Sequence, residues 1–524
     1  MSDLPKFVFM SDLPKFKIEF FYPFFGIVLL GIGGCDRPSA LSTTTKSALA
    51  KAPERRVKGI EVRTDRPLLP LSPHPVGMNL HVTNDAMRPG TVEMIRRTKA
   101  RIVRWPGGSE SDIYQWRTHR LTPPWYAHPN SSFDRFMRRL AQPAQVEVAI
   151  TLNYGSNATG KGGGDPAEAA AWVADAKAKG YRVPFWTVGN EVFGTWSTDL
   201  NEKPHDAATY ARKVANAFYP KIKAVNPQAR VGVVVNQYDT SNPHGWTQTV
   251  LRRARYDFVE VHHYPQEPNS GSDEFLLTKA VPQFKAQMVD LKKAMGDRPV
   301  PILIGEFNNV ASKPNRQTLS IVNALYHGLM YAEGAQLGLA GVFPWETIED
   351  YCTHPAHKKL ETGDFNPKLY GWQNFSTYSL FSLGLPSNSP SCSRSVPVIP
   401  FGTAFPTARA AALFGEFAAP RERLLQTNIA AAFPSLRAYA ATRGKGYRLL
   451  LFNLNSKTAA KLPLQLRRAA GPWKAQQVTY GKAEYDKSRY GFWVEPTRQD
   501  LGRIKSGVQV NLPPWSMSVI ALDR

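Results

Sequence analysis

Phe185-Trp186-Thr187-Val188-Gly189-Asn190-Glu191-Val192-Phe193-Gly194-Thr195-Trp196 is the stretch on which the fold turns. A short apolar run ends in a polar pair, Asn190-Glu191, with aromatic residues on both sides. A strand buried on both faces of a parallel sheet reads as such a continuous run, and its carboxyl end is where a barrel displays functional side chains. Far downstream, Ile302-Leu303-Ile304-Gly305-Glu306-Phe307-Asn308 repeats the pattern, an apolar run closed by a glutamate. One glutamate of this kind is an ordinary solvated loop residue. Two, in register with a regular succession of strands, are carboxylates brought to one face.

Outward from these stretches the succession is regular. Apolar runs at 76–80, 100–105, 146–153, 185–191, 231–236, 258–263, 302–306 and 341–345 alternate with helix-like segments such as 166–178, 207–225 and 318–333. Eight strands with helical crossovers predict an α/β fold, a (β/α)8 TIM barrel over residues 70–385, with the two glutamates closing strands four and seven. Residues 386–398 are rich in Pro, Ser and Arg. Short alternating segments follow at 436–442, 447–454, 460–466, 508–512 and 516–522. They predict a C-terminal antiparallel β-sandwich domain over 386–524. An early strand at 57–64 has no place in the barrel count, and residues 56–69 are assigned to the sandwich.

The chain opens with a repeat: Met1-Ser2-Asp3-Leu4-Pro5-Lys6-Phe7 recurs as Met10-Ser11-Asp12-Leu13-Pro14-Lys15-Phe16, which makes Met10 an alternative start. From there two lysines precede an apolar run, residues 20–32, that fits a signal-peptide core better than a membrane span. Gly33-Gly34-Cys35 resembles a bacterial lipobox, so residues 1–35 read as a signal peptide with Cys35 lipidated. A plain signal peptide and a membrane anchor remain the alternatives. Residues 36–55, rich in Ser, Thr, Ala, Lys and Pro, read as a flexible tether. The expectation is an exported protein, periplasmic or at the cell surface. Cys352 and Cys392 then remain, and export with an even count predicts that they pair. Neither has metal-ligand spacing, and neither a metal nor another cofactor is expected.

With 524 residues, 43% hydrophobic and 11% aromatic, the chain has material for two or three domains. Its net charge of +23 favours acidic partners. There is no dense Lys/Arg run, so the charge reads as spread thinly, and a nucleic-acid partner is not expected. Gly155-Ser156-Asn157-Ala158-Thr159-Gly160-Lys161 matches a phosphate-binding loop up to its lysine. Gly162 then stands where Ser or Thr would hold Mg²⁺. The stretch is read instead as a flexible loop over the site.

Two strand-end carboxylates are the equipment for hydrolysing a glycosidic bond. Four stretches make the likeness specific. They are Arg104-Trp105-Pro106-Gly107-Gly108; Asn153-Tyr154-Gly155 with Pro166-Ala167-Glu168-Ala169-Ala170-Ala171-Trp172-Val173; residues 186–196; and His262-His263-Tyr264. In this order they resemble the clan of retaining (β/α)8-barrel glycoside hydrolases, and within it most the α-L-arabinofuranosidases. The resemblance covers roughly residues 70–350 and, more loosely, the closing Leu512-Pro513-Pro514-Trp515-Ser516 strand. It implies Glu191 as acid/base and Glu306 as nucleophile, on a carbohydrate substrate; the net positive charge, separately, makes an anionic glycan one candidate. Arg104 and Tyr264 are assigned to hold Glu306 ionised. A like charge nearby is expected to keep Glu191 protonated, since two close carboxylates resist double ionisation. Asn190 is assigned to the sugar 2-hydroxyl. On strand six a period of two sends His262 and Tyr264 to the site and His263 away from it. Trp345, ending strand eight, is the aromatic residue assigned to the sugar; Trp105 and Trp196 stand on neighbouring loops.

Two positions depart from the family. Its members usually carry a glutamate on strand one, where this chain has Gly77-Met78-Asn79-Leu80-His81. They usually carry Asn after Arg-x-Pro-Gly-Gly, where this chain has Ser109. Two alternatives stand beside the arabinofuranosidase reading. One is an endo-β-glycanase or β-xylosidase of the same clan. The other is a non-catalytic glycan-binding surface lipoprotein.

Overall fold

The computed structural model describes residues 58–85, 87–267, 271–349, 376–384, 398–469, 471–488 and 494–524. The signal segment with Cys35, the tether, and both Cys352 and Cys392 lie outside them. Among the described residues no helix is long and apolar enough to cross a membrane.

Eight parallel strands run in chain order around one sheet: Gly77–Asn79, Ile102–Trp105, Glu147–Leu152, Phe185–Val188, Val231–Val234, Phe258–His263, Ile302–Phe307 and Gly341–Pro344. Each coincides with one of the eight apolar runs. All are buried along their length save the first residue of the third. First and last strand meet through side chains and backbone: the Asn79 amide donates to Pro344 O at 3.2 Å, and Thr347 N–H donates to Asn79 O at 3.0 Å. The fold is a (β/α)8 barrel. Its crossover helices start where the local chemistry says they should. Asp165 caps Pro166–Ala178 by accepting from the Ala167 N–H, and proline at the first helical position gives up only an N–H that would have no partner there.

A nine-stranded sheet follows. Its order is Thr497–Ile504, Trp473–Gly481, Ser516–Asp523, Gly446–Asn453, Leu436–Arg443, Arg423–Ile429, Ile60–Pro70, Ala460–Arg467 and Gly507–Leu512. The early strand sits inside this second sheet, antiparallel to Arg423–Ile429 and parallel to Ala460–Arg467. Its inner face packs Ile60, Val62, Leu449, Leu451, Leu464 and Ile520 into a core of their own. Three of the nine strands, Arg423–Ile429, Trp473–Gly481 and Thr497–Ile504, are absent from the sequence-derived set.

Barrel and sandwich share a wall. The helix Ile321–Gln336 is buried on every side from Ile321 to Gly334, because the helix Pro406–Phe417, whose Phe414 stacks on Tyr331, and the sandwich cover the face that a barrel helix ordinarily turns to water. A Cβ on Gly328 would stand 2.8 Å from Met517 Sδ, so the backbone approaches the sandwich closely there. Tyr439 of the sandwich donates its hydroxyl to Glu333 at 2.7 Å.

Candidate active site

All seven residues singled out in the sequence meet at the carboxyl ends of the barrel strands. Arg104, on the second strand, is 1% exposed and is the hub. Its Nε donates to Glu260 Oε1 (2.9 Å) and Nη1 to Glu306 Oε1 (3.1 Å). Nη1 also donates to Asn79 Oδ1 (3.2 Å), and Nη2 to Asn190 Oδ1 (2.7 Å). With its amide oxygen taken, Asn190 has its nitrogen left to donate. Tyr264 donates to Glu306 Oε2 at 2.8 Å. His262 Nδ1 donates to Glu191 Oε1 at 2.9 Å and lies 3.6 Å from Glu306 Oε2, while Nε2 lies 3.3 Å from Glu260 Oε1. Trp345 packs edge-on to His81 and beside Gly108; a Cβ on Gly108 would stand 2.9 Å from that ring and 3.5 Å from Glu306 Oε1. One oxygen of Glu191, one of Glu306 and a ring nitrogen of His262 all lie within 4.8 Å of one another. These three are also the one cluster among the described residues with the ligand types for a metal ion. With both ring nitrogens facing carboxylates, His262 serves as a donor and keeps no lone pair for a metal.

The period of two on strand six holds. His263 turns away from the site and packs against Phe284, and burial lowers its pKa to about 3. The same period also carries a residue that sequence reading missed. Glu260 stands two before His262 and is 1% exposed. It accepts from Arg104, His262 and the Thr187 hydroxyl, the last at 2.6 Å. Gly305 makes room for it, since a Cβ there would come within 2.4 Å of Glu260 Oε1. The alternation Glu260, His262, Tyr264 was the signal for it. Asn79, on the strand where the family carries glutamate, ties strands together by donating to Gly305 O and Pro344 O.

Three carboxylates and two cations therefore share one buried space, and their protonation differs from the sequence expectation. Burial would raise Glu191, but the hydrogen bond and charge of His262, with Trp196 Nε1 donating at 2.7 Å, hold it below its ordinary value. Burial raises Glu306, and the His262 and Arg104 charges offset this only in part. Burial alone would also lower His262; Glu306, Glu191 and Glu260 together raise it to about 10. Burial would raise Glu260, but the Arg104 charge, the hydrogen bond and charge of His262 and the Thr187 hydroxyl together bring it down to about 2. The proton expected on Glu191 thus rests on His262, one hydrogen bond away. The sequence argument counted a neighbouring carboxylate and left out the imidazolium between them.

Of the two flanking tryptophans, Trp105 lies on the second strand and not on a loop, while Trp196 does lie beside the site. Trp105 is fully buried, stacked on Phe136 at 5.2 Å, and belongs to the core. Trp196 is 53% exposed while holding Glu191, so it stands at the mouth of the site. The loop beginning at Gly155 is tied down at its start: Ser156 is buried, its carbonyl accepts from Gln115 and its hydroxyl meets Thr122.

The backbone that presents Glu191 is strained. Gly189 has φ +80 and Glu191 itself φ +46. A non-glycine residue in this left-handed region costs on the order of 1–3 kcal/mol, and persists where the surroundings over-determine it.

No family model matches the chain. Two curated relatives are arabinofuranosidases. The exo-α-(1→6)-L-arabinofuranosidase of Bifidobacterium longum is 24% identical over 242 residues, 41% of this chain and 44% of that protein. The intracellular exo-α-(1→5)-L-arabinofuranosidase of Streptomyces lividans is 25% identical over 232 residues, 38% of this chain and 33% of that protein. The chain spans less than half the length of these curated relatives. Among solved structures, the α-L-arabinofuranosidase from Thermotoga maritima in its arabinose complex superposes with a TM-score of 0.66 at 17% identity. That match covers 89% of this chain and 100% of that one, barrel and sandwich together. By sequence over two-fifths of its length and by fold over nearly nine-tenths, this chain resembles the α-L-arabinofuranosidases.

Proposed function

We propose that this protein is a retaining glycoside hydrolase, and that its substrate is an α-L-arabinofuranoside. The observation that carries the reading is the pair Glu191 and Glu306, with oxygens within 4.8 Å at the ends of barrel strands four and seven. Retaining enzymes hold their two carboxyls roughly 5–5.5 Å apart, whereas inverting ones need about 6.5–9.5 Å to seat a water between them. The sugar assignment is supported by the two curated relatives and is the finer part of the proposal.

The geometry gives each group a task. Glu306 Oε2 or Oε1 attacks the anomeric carbon, and the bond to the leaving oxygen breaks as the new C–O bond forms. Arg104 and Tyr264, at 3.1 and 2.8 Å, each favour the carboxylate form that attack requires. Glu191 delivers the proton to the leaving oxygen, and His262 supplies it along their 2.9 Å hydrogen bond. Esterification removes the negative charge of Glu306, the largest influence holding the proton on His262. Transfer toward Glu191 therefore becomes easier as the first step proceeds. In the second step the pair takes a proton from water, which attacks the same carbon and frees Glu306. Asn190 Nδ2 is the donor for the sugar 2-hydroxyl, a bond that strengthens in the transition state.

A panel of aryl glycosides, arabinofuranoside and xyloside first, followed by natural polysaccharides with neutral and acidic side chains, tests this. The expected result is turnover of the α-L-arabinofuranoside and release of single arabinose units. Release of mixed-length fragments from a β-linked backbone would move the protein to the endo-glycanase reading. Salt-sensitive glycan binding without any turnover would make it a binding protein and contradict the proposal.

A further inference from the structure

The left-handed turn Gly189-Asn190-Glu191 is gripped from two sides. On one side Ser197 directs its hydroxyl at the carbonyls of Asn190 (2.9 Å) and Glu191 (3.0 Å). On the other stands Asp112, a residue of the short helical turn Ser109–Ile113 and fully buried. Its Oδ2 accepts the Asn190 N–H at 3.0 Å, and its Oδ1 accepts the Tyr154 N–H at 3.1 Å. One carboxyl thus joins the loops after the second, third and fourth barrel strands. It also reaches the backbone next to Glu191 without touching the space where a sugar would lie. The sequence offered no signal for it: it is a single acid in a loop, three residues beyond Ser109.

We propose that Asp112 is a positioning residue that fixes the strained turn, and so aims Glu191 at the leaving oxygen. The proposal rests on the glycosidase reading above. Its chemistry is specific to a carboxyl. Two backbone donors converge on it, and a carboxyl has acceptor capacity on both oxygens, whereas an amide of the same shape turns an NH₂ toward one of the two N–H groups. Burial pushes Asp112 up to about 8 and the two N–H donors act against that shift. A protonated carboxyl keeps acceptor capacity on both sides; an amide does not.

The test is D112N in the full chain, assayed on aryl glycosides whose leaving groups range from very acidic phenols to weakly acidic ones. In the first step, which kcat/KM reports, a misaimed acid/base matters only where protonation of the leaving group is needed. The expected result is a loss of about 100-fold in kcat/KM on the poorest leaving groups, the scale of an ångström-sized misplacement, with little change in kcat/KM on the best. A residue that merely stabilises the barrel would lower all substrates alike, and that outcome, or no loss at all, overturns the assignment. D112S, which keeps one acceptor and introduces no unpaired amide, should fall between wild type and D112N; if neither variant accumulates as folded protein, Asp112 belongs to the barrel's stability and the assignment is overturned. Should the wild type hydrolyse none of the series, the glycosidase reading fails separately. In that case the ring-nitrogen NMR shifts of His262 decide the clamp: an unchanged His262–Glu191 hydrogen bond in D112N overturns it, and a weakened one upholds it.

Discussion

His262 holds its proton to a pH at which an unperturbed imidazole has long lost it, and this has a measurable consequence. The unfolded group titrates near 6.5 and the folded one near about 10, so between these values the native state binds the extra proton. The stability it contributes is complete below pH 6.5 and is lost as pH rises through about 10. Glu260 acts at the other end: with its folded value near about 2, its contribution is present above 4.5 and lost as pH falls through 2. Replacing Glu260 by Gln removes one of the three carboxylates that keep His262 charged, and leaves buried Arg104 one partner short. We expect the His262 titration to fall by about 1–3 pH units. Breaking the buried pair from one side should cost about 3–5 kcal/mol of stability. Ring-nitrogen NMR and urea unfolding across pH measure the two; an unchanged His262 titration in E260Q would show that Glu191 and Glu306 suffice to hold the proton.

The shared helix Ile321–Gln336 shows how one element can belong to two cores. It is buried all round, and the few polar side chains it carries there, Asn323, His327 and Glu333, have hydrogen-bond partners inside the fold. Tyr439 donating to the buried Glu333 is the polar link across that wall. Tyr439→Phe should therefore cost about 1.5–3 kcal/mol, the range for a hydrogen bond to a charged group, and leave kcat unchanged. Thermal unfolding and a rate assay check both halves; a loss of activity without a loss of stability would mean that the sandwich feeds the site. At this scale much was legible. All eight barrel strands could be read because a strand covered on both faces is a largely continuous apolar run, and these runs alternate with helix-like segments. The strands that escaped are of another kind. Thr497–Ile504 edges its sheet and is exposed at nearly every position, so it carries no apolar alternation to read. The site divides the same way. Glu191, Glu306, Arg104, His262 and Tyr264 sit on strand ends and could be read from period and position. Asp112 reaches the turn from a loop, and only the folding of that loop brings it there.

On the scale of the whole molecule, the barrel presents its carboxyl ends as a platform on which three glutamates, an arginine and a histidine compensate one another, while the sandwich is engaged with a helix on the barrel's flank. The proposed mechanism puts events in an order on this platform: Glu306 would form a covalent bond to the sugar, and Glu191, refilled by His262, would serve first as acid and then as base. Two variants in the presence of azide separate these roles in one measurement, the NMR structure of the product formed from an aryl glycoside with a very acidic leaving group. For Glu191→Ala the glycosyl-enzyme still forms and then stalls. Azide, an anion that needs no base, should release it as a glycosyl azide of retained configuration, while substrates with poor leaving groups lose about 10²–10⁴-fold in rate. Glu306→Ala has nothing to form the covalent bond and should give no retained product under any condition. A retained azide adduct from Glu306→Ala, or a Glu191→Ala variant that treats good and poor leaving groups alike, would contradict the account.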